Sequence, residues 1–221
     1  MAEHKGNDKI PPVAEPILLL RTWEGDDGQR PLTFPQSGSI PTLYPAWSPD
    51  IRFFSSWVEW LVLESSSSIR PGTEYKIQVR VTNIGMLPAL GTCVEVFERD
   101  PSCTSIETLS EDELRLIDRF IINEPIVSGA SVVAFTNSTW VPGDVTVAGG
   151  VSRACITARA YVPIFGLPQG FDNRVNPWVA HSYLCTFFVV PGETVFMPVM
   201  GFSGKDRGAA KFTFRTVEPM E

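Results

Sequence analysis

The clearest alternation in the chain runs from Tyr75 to Thr82. Tyr75, Ile77, Val79 and Val81 are apolar there, and Lys76, Gln78, Arg80 and Thr82 are polar. A two-residue period sends successive side chains to opposite faces, so this stretch predicts a half-buried strand with one wet face. Asn83-Ile84-Gly85 is expected to end it, because Asn and Gly tolerate positive φ. Thr92, Val94 and Val96 open the next strand. Upstream, Ile51 to Phe54 and Trp57 to Leu63 are aromatic and β-branched, as strands prefer, with a polar break at Ser65 to Ser68 and a turn at Arg70-Pro71-Gly72-Thr73. Downstream, Val132 to Phe135, Thr139 to Val141, Ala154 to Tyr161 and Tyr183 to Val190 read as further strands, punctuated by Pro142-Gly143, Gly149-Gly150 and Pro191-Gly192. Thr194 to Met200 and Lys211 to Val217, parted by a polar Gly-rich stretch, predict a C-terminal hairpin. Short strands at this spacing indicate an all-β sandwich.

Two regions break the pattern. Between residues 100 and 128, Ser110-Glu111-Asp112-Glu113 matches a capping box, with Leu114, Ile117 and Ile121 at helical spacing behind it. Phe120 to Ile122 is equally strand-like, so at most one short helical turn is expected. The other region is the N-terminus, where eight of the 19 prolines fall within the first 50 residues. Proline lacks an amide donor and fixes φ, which keeps such a segment out of helices and central strands. Two apolar anchors interrupt it, Ile17 to Trp23 and Leu43 to Trp47, with Glu24-Gly25-Asp26-Asp27-Gly28 as an exposed turn between them. The aromatic anchors favour an arm docked on a surface over a loose leader. The expected division is therefore a proline-rich extended arm over 1–46, a sandwich over 47–192, and a hairpin over 193–221 that packs on or extends it.

Composition narrows the classes. The chain has 221 residues, 43% hydrophobic and 19% charged, which is globular and excludes a disordered or collagen-like chain. The 17 glycines and 19 prolines argue against long helices. A formal net charge of −7 argues against a general nucleic-acid surface, which needs clustered Lys and Arg. No stretch approaches the roughly 20 apolar residues that span a bilayer. Met1 to Pro16 is polar and proline-broken, unlike a secretory signal, so cytoplasmic synthesis is expected, with a place in a virion or other assembled particle left open. Cys93, Cys103, Cys155 and Cys185 show neither a CxxC nor a zinc spacing, and they read as small buried hydrophobes with reduced thiols.

Six landmarks in order resemble the bacterial CARDB-like family, modules related to cell adhesion. They are Ser48-Pro49-Asp50-Ile51, the strand ending in Asn83-Ile84-Gly85, the stretch from Ala89 to Val96, Trp140-Val141-Pro142, Cys155-Ile156-Thr157-Ala158-Arg159, and the Asp172-Asn173 loop leading to Val179-Ala180-His181. The resemblance covers roughly residues 45–190. It implies an immunoglobulin-like antiparallel β-sandwich used for contact between macromolecules rather than for chemistry. The arm and the C-terminal hairpin lie outside it.

No constellation of catalytic residues emerges. His4 sits in a polar tail, and His181 lies four residues before Cys185, about 13 Å along a strand, too far for a dyad within it. His181 reads as a strand-edge residue. Gly201-Phe202-Ser203-Gly204 has the wrong spacing for a nucleophile elbow, and Gly204-Lys205 lacks the rest of a P-loop. Glu24, Asp26 and Asp27 lack the spacing of a calcium loop, while Asp50 and Asp172 are placed to cap loop amides. No catalytic residue, cofactor or metal is expected. Trp140 and Trp178 read as packing residues; Trp57 and Trp60, three apart on one strand, would face opposite ways, leaving one for the arm, a neighbour or an exposed patch.

The expectation is a non-enzymatic structural or assembly protein. Its contacts with itself or with other subunits would run through Ile17, Leu19, Trp23, Trp47, Trp57 and Trp60. An extended segment with apolar anchors can add contacts, or a strand, to an exposed sheet edge. The alternative is a surface adhesion or carbohydrate-binding module.

Overall fold

The computed structural model describes residues 14–31, 48–57, 60–64, 69, 72–99, 114–142 and 151–187. Its strands are β1 (Leu18–Leu19), β2 (Ile51–Trp57), β3 (Trp60–Glu64), β4 (Tyr75–Asn83), β5 (Thr92–Arg99), β6 (Leu114–Ile122), β7 (Ser131–Phe135), β8 (Val151–Tyr161) and β9 (Val179–Phe187). Among the described residues the helical content is one 3-10 turn at Pro163–Phe165, and no helix is long and apolar enough to cross a membrane. The protein is an all-β sandwich of two antiparallel sheets. In the first sheet β4 pairs with β2 and β1 on one side and with β7 on the other, and β3 pairs with β2. The second runs β6-β5-β8-β9.

The alternation at Tyr75 to Asn83 does what its period predicts, burying every odd residue. Ile77, Val79 and Val81 meet Val94 and Val96 of β5 and Ile156, Ala158 and Ala160 of β8 in one core. Trp140 closes one end, 5.8 Å from the Phe53 ring and 6.0 Å from Tyr75, and it joins β4 through a single bridge to Tyr75 rather than a full strand.

Three elements depart from the sequence reading. Leu114 to Ile122 is a strand, not a helical turn. The β5–β6 register shifts between Val96 and Phe97, leaving Ile117 as an extra residue packed against the core. A bulge of this kind breaks the two-residue period and mimics helical spacing. Trp57 and Trp60 do not share a strand but are antiparallel register partners on β2 and β3, so opposite faces on one strand is not their geometry. Gly85 is not among the positive-φ glycines. A Cβ there would lie 2.2 Å from the Ile17 amide nitrogen and 2.4 Å from the Glu15 carbonyl oxygen, so its role is to admit a second backbone. The hairpin expected at 194–217 and the capping box at 110–113 lie outside the described residues.

That second backbone is the arm. Leu18 and Leu20 enter the core, while Leu19 turns the other way and is buried beneath the loop at 22–28. Ile84 and Met86 amides donate to the Ile17 and Glu15 carbonyls at 2.8 and 3.2 Å, and the Leu20 amide donates to the Pro177 carbonyl at 2.8 Å. Residues 14–31 thus complete the sandwich of their own chain. Gly85→Ala should push the arm off its seat and cost about 1–3 kcal/mol by overpacking against backbone. Urea unfolding of the variant would check this, and unchanged stability would refute the seating.

Candidate functional site

In most antiparallel sandwiches the outer face of a sheet is wet. Here β5 is buried on both faces. The segment from Val162 to Trp178 folds over the outside of the second sheet and covers Glu95 and Arg159, with Phe171 packed on Phe97 at 5.4 Å. Register aligns Arg119, Glu95, Arg159 and Val179 in one row across the four strands.

Glu95 is fully buried and holds both arginines. Its Oε2 accepts from Arg159 Nη2 at 2.6 Å and Nε at 2.8 Å; its Oε1 accepts from Arg119 Nε at 2.7 Å and from the Tyr161 hydroxyl at 3.3 Å. Arg159 also donates to the Pro168 carbonyl and lies 4.5 Å from the centre of the Phe171 ring, a cation–π contact that fastens the covering segment. Arg119 reaches in from solvent with 59% of its side chain exposed. Charge attraction to Glu95, and then the hydrogen bond to it, raise the Arg119 pKa.

Next to this row stands His181, fully buried although it lies on β9, the last strand in the order of the second sheet. Its Nε2 lies 2.9 Å from the Phe171 carbonyl and its Nδ1 2.8 Å from the Thr157 hydroxyl. A carbonyl only accepts, so Nε2 carries the proton and Nδ1 accepts from Thr157. Burial, helped by the charge of Arg99, pushes the imidazole down to about 4, against the opposing pull of the Phe171 carbonyl and Asp172. Burial likewise raises the Cys93 thiol and the Tyr161 phenol. Thiol, phenol and imidazole are all held neutral, and both nitrogens of His181 are engaged.

Three further acids are held by arginines and backbone amides. Asp50 accepts the Arg21 amide at 2.7 Å and pairs with the Arg21 guanidinium, whose pKa it raises. Asp172 accepts the Arg174 amide and guanidinium, which hold it below the ordinary carboxylate range. Both therefore cap loop amides as their positions suggest. Burial alone would raise Asp26, but Arg30 and the amides of Thr22 and Gly28 outweigh it and lower its pKa. Among the described residues no group of three His, Cys, Asp or Glu side chains is placed to hold a metal.

The sequence-derived contact residues scatter. Ile17 lines an open cleft of about 210 Å³ between the arm and the covering segment, with Tyr161, Phe165, Leu167 and Trp178 among its walls. Leu19 is buried within the chain, and Trp23 is half-buried in the loop that covers it. Trp47 and the side chains of Trp57 and Trp60 lie outside the described residues. Cys93 and Cys155 are both buried. Sequence reasoning missed Glu95 and Arg119 and met Arg159 only as the end of the Cys155–Arg159 landmark.

The chain matches no protein-family model and no curated protein. Among solved structures, 62% of it aligns with a hemolymph-type prophenoloxidase from a crustacean at 11% identity and a TM-score of 0.28, spanning 29% of that chain. A likeness of that size supports no statement about fold or function.

Two outcomes are expected of this face. Glu95→Ala would strand the buried Arg159 charge and cost about 3–5 kcal/mol, much of it recovered in an E95L/R159M double variant. A loss in urea unfolding no larger than that of a surface substitution would overturn the pairing. As pH falls below the ordinary 6.5 of histidine, the unfolded chain takes up a proton that folded His181 refuses until about 4. Stability should therefore be full above that window and decline through it by about 3 kcal/mol. Asp26 and Asp172 add their own loss only below their ordinary 3.8. Denaturation midpoints across the window should flatten in His181→Gln; an unchanged slope would assign the effect elsewhere.

Proposed function

We propose that this chain is a non-enzymatic structural protein, an immunoglobulin-like building block making subunit–subunit contacts in a larger particle, tail or filament. The observation that carries this reading is the apolar end of the sandwich. Met86 and Leu90, beside the β4–β5 turn, are 72% and 62% exposed, and Phe165 is 61% exposed. Val127, Ile17 and Leu167 are exposed as well. The segments that bear them are joined: Ala89 bridges Ile126, Met86 bonds to Glu15, and residues 15–18 share a cleft with 165–168. Apolar surface gathered in this way marks a site of macromolecular contact. The partner is a second copy or another subunit of the same assembly.

The arm enters this reading differently from the sequence expectation. Its first anchor is used within the chain, so the surface offered to neighbours is the end that the arm helps to build. The neutral, fully engaged state of His181 and the raised Cys93 thiol support a non-enzymatic role. The aromatic walls of the cleft favour one alternative, a carbohydrate-binding module, because sugar rings stack on such side chains.

Sedimentation velocity of the full chain across micromolar concentrations would test the proposal. Concentration-dependent association, reduced in an M86E/L90E double variant, is the expected outcome. A monomer at every concentration would refute it, and glycan-array binding lost in Phe165→Ala would then favour the alternative.

A further inference from the structure

The edge strands of the two sheets are not equally protected. β6 carries Arg115, Asp118 and Arg119 along its length, together with the bulge at Ile117. Charges and bulges are the usual devices that keep an edge from pairing with another chain. β7 has neither. Its sequence is Ser131-Val132-Val133-Ala134-Phe135, and no charged residue occurs from Pro125 through Gly143.

Its free side can be worked out from its bound side. The Asn83 amide donates to the Ala130 carbonyl at 3.0 Å, and the Thr136 amide donates to the Ile77 carbonyl at 2.9 Å. Even-numbered residues of β7 therefore turn their backbone groups toward β4. By the alternation of an antiparallel ladder, Ser131, Val133 and Phe135 turn theirs away. Among the described residues β7 pairs with β4 alone. Ser131, Val133 and Phe135 are also the exposed side chains of the strand.

From this arrangement we infer that the β7 edge pairs with β7 of a second copy, antiparallel about a two-fold axis through Val133. The inference rests on the assembly reading above and names one of its contacts. Self-complementarity selects this occupant. About that axis Val133 faces Val133, Ser131 faces Phe135 and Val132 faces Ala134. Every outward-turned residue then meets another outward-turned residue, so both hydrogen bonds of each such pair form. Each small side chain faces a larger one, and no like charges meet. The edge is also ordered in advance. The Ser131 hydroxyl is 2.7 Å from that of Thr82, and the Phe135 ring packs on Phe54 at 5.3 Å. Fixing side chains before association lowers its entropic cost.

Cysteine cross-linking of the full chain tests the register. Val133→Cys should convert most of the protein to a covalent dimer on mild oxidation, read on a non-reducing gel against wild type as the background from native thiols. Ser131→Cys alone should remain monomeric on the gel, whereas its mixture with Phe135→Cys should cross-link; this pair reads the same register if Val133→Cys misfolds. In sedimentation, Val133→Lys should shift the association seen in wild type toward smaller species. Wild type that associates while neither V133C nor the S131C/F135C mixture cross-links would overturn this inference and leave the assembly reading standing. Wild type that stays monomeric, with no cross-linking, would overturn both.

Discussion

The carboxamide of Asn83 holds the junction between arm and sandwich. Its oxygen accepts from the Ile17 and Gly85 amides at 3.2 and 2.9 Å, and its nitrogen donates to the Leu87 and Ile126 carbonyls at 2.7 and 2.8 Å. One fully buried side chain thereby satisfies backbone groups from three separate segments. Its own amide and carbonyl bind Ala130 and Gly129, so the turn entering β7 is fixed from the same residue. Aspartate would turn lone pairs toward two carbonyls, and an apolar residue would orphan three backbone groups at about 1–3 kcal/mol each, the Ile126 carbonyl keeping the Ala89 amide. The seat of the arm, the shape of the β4–β5 turn and the position of β7 all depend on this amide.

On the opposite side of the molecule the organising interaction is ionic. Glu95, Arg159 and Arg119 sit on a face that a simple sandwich would leave wet, and the segment over them is held at two points, Pro168 by Arg159 and Phe171 by His181. The desolvation of such a cluster offsets much of its attraction, so its value is specificity rather than net stability. It tells the covering segment where to lie. The arm reinforces the same placement, because the Leu20 amide binds Pro177 at the far end of that segment. Arm and cover are therefore positioned together, and the cleft between them follows from both.

How much of this was legible depended on how local the cause was. The alternation of β4 was readable because each residue reports its own face, and Trp140 announced itself by bulk. Asp172 was readable as a cap because its partner, Arg174, lies two residues on, whereas Asp50 caps Arg21, 29 residues back in the arm, and only its place before β2 suggested a cap. The β6 bulge was not, since its cause is a register on β5 that no residue of β6 states. Val58 and Glu59 are not turn-forming residue types, so Trp57 and Trp60 looked like one strand. Glu95 and Arg159 are 64 residues apart and looked like ordinary polar positions; only the fold brings them together and removes the water.

The position of the arm also has a consequence in time. Its strand is made well before the segment it binds, and Leu20 must wait for Pro177, 157 residues later. At ribosomal rates of about 5–20 residues per second, that wait is on the order of ten seconds. Throughout it, three consecutive leucines destined for burial remain without their final cover. The contacts that close the sandwich are thus among its longest-range ones, the kind that slows folding and prolongs exposure to other chains.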